Sequence, residues 1–110
     1  MKTRTIFFLL LFLPFTLYSQ LRLPSVISDN MMLQRNSEAK IWGWDEPGTE
    51  ITVRAGWTTD KFIDNAGENG KWMVTIPTTI AGGPYNIYIN GSEERVIRNI
   101  LLGDIWICSG

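Results

Sequence analysis

From Leu21 to Arg98, apolar side chains recur at every second position, and clusters of Gly, Pro, Asn and Asp interrupt them every few residues. A period of two puts alternate side chains on opposite faces of an extended chain. The pattern therefore selects short, half-buried strands and disfavours amphipathic helices, which need a spacing of three to four. Ile51 and Val53 share one face against Glu50, Thr52 and Arg54; Trp72, Val74 and Ile76 share another; Tyr85, Ile87 and Ile89 alternate with Asn86 and Tyr88. Asp45-Glu46-Pro47-Gly48 has turn composition, since Pro presets one φ and Gly accepts a positive one, and it reads as the loop of a hairpin joining 38–44 to 49–55. Gly67-Glu68-Asn69-Gly70 reads as a hairpin turn between 61–65 and 71–76, and Gly82-Gly83-Pro84 as another turn. Asn90-Gly91 is the strongest short hairpin signal in the chain. About seven short strands with no helical segment predict an all-β fold, a small antiparallel β-sandwich.

The first 19 residues do not belong to this pattern. Lys2 and Arg4 precede an apolar run of about a dozen residues, well short of the roughly 20 that a membrane-spanning helix needs, and Ser19 suits signal peptidase. Residues 1–19 are expected to be a secretory signal peptide, directing the protein to the periplasm or outside the cell. About 90 residues then remain, enough for one small domain and too few for two. They carry 8 basic and 11 acidic residues with no basic run. Nucleic acid and, after signal cleavage, the membrane are therefore poor partners.

The 110 residues contain no histidine, so no Ser-His or Cys-His couple and no His-ligated zinc can form within them. Cys108 is the single cysteine, which excludes internal disulfides. Around it, Ile105-Trp106-Ile107-Cys108 is continuously apolar, as in a strand covered on both faces in a parallel sheet, and Ser109-Gly110 follows at once. In open α/β sheets, sites lie just beyond the carboxyl ends of such strands. The tail thus reads as the first buried strand of an α/β domain.

Leu21-Arg22-Leu23-Pro24-Ser25, Ser28 to Arg35, Ile41-Trp42-Gly43-Trp44 with Pro47-Gly48, Gly70-Lys71-Trp72, Ala81 to Tyr85 and Gly103 to Gly110 together resemble, in order and spacing, the amino-terminal region of sialate O-acetylesterases. These are carbohydrate esterases of the SGNH (GDSL-type) class. The resemblance implies a β-rich accessory domain over residues 20–99 and a truncated start of the catalytic α/β domain over 100–110. It also implies an acetylated sialic acid or other glycan as substrate, and no cofactor. The family's nucleophile motif reads Gly-Gln-Ser-Asn, and Gly110 matches its glycine. The serine would lie two positions further on, Ser109 does not match it, and no catalytic residue carries over onto this sequence.

Other residues invite functional readings that plainer ones match. Trp57 follows Gly56 in a loop and is the best candidate for an exposed sugar contact, whereas Trp42 and Trp44, at i and i+2, are expected in the core with Trp72. Asp45-Glu46 and Glu93-Glu94 read as a turn and a solvated strand end, because neighbours on an extended chain diverge. Asp64 to Gly70 has the flavour of a calcium loop, but Ala66 occupies its third position, where a ligand is needed; no metal site is expected. Asn90-Gly91-Ser92 is formally a glycosylation sequon, for which the hairpin accounts. Cys108, with no basic neighbour, reads as structural.

The chain is thus expected to be the amino-terminal part of an exported serine esterase, inactive by itself. The rival reading is a free-standing secreted β-sandwich that binds carbohydrate or protein without catalysis. The mature protein is expected to begin at or near Gln20, which the intact mass of the exported protein checks; retention of residues 1–19 in a membrane fraction would refute it.

Overall fold

The computed structural model describes residues 21–105, so the expected signal peptide over 1–19 and the tail residues Trp106, Cys108, Ser109 and Gly110 lie outside it. Seven strands run in chain order: β1 (Met32–Gln34), β2 (Glu38–Trp44), β3 (Glu50–Ala55), β4 (Lys61–Asn65), β5 (Lys71–Pro77), β6 (Gly82–Asn90) and β7 (Glu94–Gly103). The fold is all-β, as the alternation predicts. One sheet has the order β1-β7-β6-β3-β4 and the other pairs β2 with β5. Every pairing is antiparallel except that of β1 with β7, which is parallel and sets Met32 against Leu101 and Gln34 against Gly103. A purely antiparallel sandwich is corrected in this one respect.

The inward faces are those set by the period of two. Ile51, Val53, Ile87, Ile89 and Ile100 from the larger sheet meet Ile41, Trp72 and Ile76 from the smaller, all essentially inaccessible to solvent. Each such isoleucine contributes about 1.5–3 kcal/mol of burial. Trp72 is buried, and its indole N–H has no hydrogen-bond partner among the described residues. An orphaned donor costs about 1–3 kcal/mol. Burying an indole ring of roughly 150–250 Å² contributes about 4–6 kcal/mol, so packing wins.

The phase of β2 differs from expectation. Ala39, Ile41 and Gly43 point inward, leaving Trp42 and Trp44 half-buried on the other face. A β-carbon on Gly43 would stand 2.5 Å from the Arg22 carbonyl oxygen and 3.0 Å from the Trp72 ring. The inward phase of β2 is therefore the one carrying the residue that lets these groups approach. Trp44 instead receives the Arg22 guanidinium, 5.3 Å from its ring centroid, and Arg22 and Trp44 exchange two backbone hydrogen bonds of 2.8 and 2.9 Å.

Two expected hairpins are sheet-to-sheet corners. β2 and β3 lie in different sheets, and so do β4 and β5. Gly82-Gly83-Pro84 is not a turn either; it opens β6, which has register shifts there and a cis Gly83–Pro84 peptide. The β6–β7 hairpin stands where Asn90-Gly91 places it, with Asn90 opposite Glu94. The expected boundary after Asn99 falls within β7, where Ile100 and Leu102 are buried.

The corners converge on Asp45, the one buried charged side chain among the described residues at 4% exposure. Its carboxylate accepts from the backbone N–H of Glu46 at 2.7 Å and of Ser92 at 2.8 Å, and its own N–H donates to the Gly70 carbonyl at 2.8 Å. The β2–β3 corner, the β4–β5 corner and the β6–β7 hairpin are thereby joined. Gly70 has φ of 85°, and a β-carbon there would come within 2.6 Å of the Asp45 carbonyl oxygen. A β-carbon on Gly91 would overlap the Asp45 carboxylate and stand 2.7 Å from Ile51 Cδ1. Gly91 is not among the residues with positive φ, so it serves close approach rather than turn conformation.

Asp45→Ala is expected to destabilise the fold by about 2–4 kcal/mol, since two backbone donors lose a charged acceptor. Gly91→Ala should cost about 1–3 kcal/mol through overpacking. In the double variant the two costs should add to less than their sum, because the carboxylate that obstructs the new methyl is gone. Urea unfolding of the four proteins tests this, and simple additivity would refute the contact.

Candidate functional site

The end of β1 and the end of β7 form a polar clamp where the described chain stops. Their parallel pairing brings Gln34 and Arg35 beside Asp104 and Ile105. The Arg35 Nε–H donates to Asp104 Oδ1 at 3.0 Å and the Gln34 amide donates to the same oxygen at 3.2 Å. The Gln34 side-chain oxygen Oε1 in turn accepts the Ile105 N–H at 2.9 Å, and the Arg35 N–H donates to the Gly103 carbonyl at 2.8 Å. Thr78 braces the same end, because its hydroxyl donates to the Gln34 backbone carbonyl at 2.6 Å. Its backbone N–H donates to the Ser37 carbonyl at 2.7 Å. Both ends of the segment 103–105 are thus held in direction as well as in place.

The Asp29 side chain does a related task one turn earlier. Its carboxylate accepts the Arg98 N–H at 2.7 Å, and the Asn30 N–H donates to the Arg98 carbonyl at 2.9 Å. Asn30 and Asn99, both at positive φ, meet through their side chains at 2.5 Å. Asn tolerates that backbone better than other residues with a side chain. The Ser28 to Arg35 block therefore anchors β7 along its length, a role that its spacing in the sequence does not disclose.

Trp57 is half-buried. Its indole N–H donates to the Pro77 carbonyl at 2.8 Å, and its ring meets Tyr85 edge to face at a centroid distance of 5.5 Å. Its polar handle is engaged within the protein. Of the carboxylates, Asp64 accepts the Met73 N–H at 2.8 Å and so joins the two sheets, while Glu93 pairs with Arg95, which also donates to the Leu21 carbonyl at 2.9 Å. Among the described residues no group of three or more His, Cys, Asp or Glu is placed to hold a metal ion.

A second feature lies on the outer face of the larger sheet. Lys61, Arg54 and Tyr88 stand directly opposite one another across β4, β3 and β6. With Thr58, Thr59 and Asp60 from the β3–β4 loop they line an open groove of about 390 Å³. The Arg54 guanidinium lies 5.0 Å from the Tyr88 ring centroid, a contact worth about 0.5–1 kcal/mol at an exposed site. No motif marks this row in the sequence, because Arg54 and Lys61 are separated by a loop and only the β3–β4 register brings them together.

No family model matches the chain. It is 32% identical over 99 residues to the human sialate O-acetylesterase, a match covering 81% of this chain and 19% of that protein. The mouse sialate O-acetylesterase is 33% identical over 99 residues, covering 81% and 18%. The crystal structure of a carbohydrate acetylesterase from Xanthomonas citri superposes with a TM-score of 0.73 at 33% identity, over 78% of this chain and 20% of that one. The likeness to sialate O-acetylesterases thus extends over most of the chain, which spans about a fifth of the length of these relatives.

Asp104 is expected to titrate below the usual carboxylate range, first because the Arg35 guanidinium hydrogen-bonds its charged form and then because the Gln34 amide does. A depressed folded-state value means that the contribution to stability is present above the unfolded value of about 3.9. It is lost as pH falls through the lower, folded value. Arg35→Met should move the Asp104 titration, followed by carbon-detected NMR, back toward that ordinary value; an unchanged titration would refute the clamp.

Proposed function

We propose that this chain is the β-rich accessory part of an exported serine esterase that removes acetyl groups from sialic acids or other acetylated glycans. The observation that carries this reading is the likeness to sialate O-acetylesterases and to a carbohydrate acetylesterase, at 32–33% identity over four-fifths of the chain. Lys2, Arg4 and the apolar run behind them supply the export signal. The segment that follows β7 is read as the approach to the catalytic α/β domain, and Gly110 as the opening of the Gly-Gln-Ser-Asn motif.

The chemistry assigned to the longer protein is acyl transfer, in which a serine attacks the acetyl carbonyl and the acyl-enzyme is then hydrolysed. It requires a nucleophile, a base to take its proton and preorganised donors for the oxyanion. The 110 residues contain no histidine to serve as that base. Their part is positional. Gln34 and Arg35 fix the Asp104 carboxylate and the Ile105 amide, so the strand that leads to the nucleophile starts from a defined place and direction. A displacement of the reacting groups by about 1 Å costs on the order of a hundredfold in rate, which gives such anchoring a catalytic value.

The 110-residue chain is expected to show no turnover above background on aryl acetates or O-acetylated sialic acid. A protein extended through Gln-Ser-Asn and the domain behind it should be active and should lose that activity when the motif serine becomes alanine. Saturable turnover by the purified short chain would overturn the proposal.

A further inference from the structure

We infer that the groove on the outer face of the larger sheet is a binding site for a carboxylate-bearing sugar, separate from the esterase centre. Arg54 and Lys61 are cross-strand partners. Like charges placed directly opposite each other on a sheet are destabilising, and neither side chain forms an ion pair among the described residues. The like-charge repulsion of this pairing is relieved when an anion lies between the two side chains.

The remaining groups narrow the chemistry of that anion. Two cations and the Asp60 carboxylate leave the groove with a single net positive charge, which matches a monoanion better than a phosphate dianion. Arg54 is held over Tyr88 at 5.0 Å, so its planar fork loses less freedom on meeting a carboxylate. Around this pair, Thr59 and Asp60 offer groups suited to sugar hydroxyls, and the Tyr88 hydroxyl, which accepts the Asn86 side-chain amide at 3.4 Å, keeps its own proton to donate. The Thr58 hydroxyl already accepts the Asp60 N–H at 3.2 Å and keeps its own proton to donate. A flat nucleic-acid backbone would meet only two cations here, in a domain whose net charge is negative.

The choice of sialic acid as the probe rests on the proposed esterase reading; the site itself rests on the sheet register. The test reads binding without turnover, because N-acetylneuraminic acid carries no acetyl ester. In an NMR titration of the 110-residue chain, its amide shifts should saturate and be confined to 54–61 and the neighbourhood of Tyr88. The methyl ester of the same sugar, and the Arg54→Gln/Lys61→Gln variant with the free acid, should each bind about tenfold more weakly, the combined effect of two exposed charge contacts; acetate, which keeps the carboxylate but lacks the sugar hydroxyls, should also bind about tenfold more weakly. Both side chains are exposed, so the variant should keep the dispersed spectrum of the parent. Absence of saturable shifts, equal binding of the methyl ester, or acetate binding as tightly as the sugar would overturn the inference. Failure of the esterase reading would show instead as an inactive extended protein with this binding intact.

Discussion

The Asp45 carboxylate is the contact on which the arrangement of the two sheets depends. Two of the connections between them, β2–β3 and β4–β5, already meet through backbone hydrogen bonds of Ala66 with Gly48 and Thr49, and the Asp45 carboxylate adds the tightest hairpin, β6–β7, to that junction. A carboxylate accepts several N–H groups at once, and here it takes one from its own turn and one from the hairpin. The backbone of the same residue reaches the third loop through Gly70. Burying a lone charge would be costly. Charge-assisted bonds to two backbone donors offset that cost and give each loop a fixed position relative to the others.

This explains which parts of the fold were legible. Strand existence and inward faces follow from a local period of two, so Ile51, Val53, Trp72, Val74, Ile76, Ile87 and Ile89 were assigned to the interior from sequence and lie there. Pairing is not local. The turn composition of Asp45-Glu46-Pro47-Gly48 is the same whether the chain reverses within one sheet or crosses to another, and only partners distant in sequence decide between them. Trp42 and Trp44 show the limit differently. Side-chain size argued for the interior, but the neighbouring Gly43 occupies the one place where Arg22 and Trp72 leave no room for a β-carbon.

The candidate sites were legible to a lesser degree, for the same reason. The blocks around Gln34-Arg35 and Gly103-Asp104 stand out in the sequence as parts of a family resemblance, yet nothing in either block states that they touch. Their contact exists because β1 runs parallel to β7. Arg54 and Lys61 likewise look like ordinary solvated charges until the register places them side by side. Trp57, singled out for following a glycine in a loop, has its indole N–H directed to the Pro77 carbonyl, a contact 20 residues away that its local sequence does not announce.

The parallel pairing of β1 with β7 also orders events in time. Arg35 and Asp104 are 69 residues apart, and a three-residue strand cannot persist without its neighbour. During synthesis from the amino terminus, β1 emerges first among the strands and waits for its partner until β7 has been made. Hairpins such as β3–β4 and β6–β7 close short loops, whereas this contact must overcome the entropy of closing nearly the whole described chain. The earliest strand is therefore secured among the last. Any polypeptide that follows Ile105 then begins to fold from a base that is firm only once everything before it is in place.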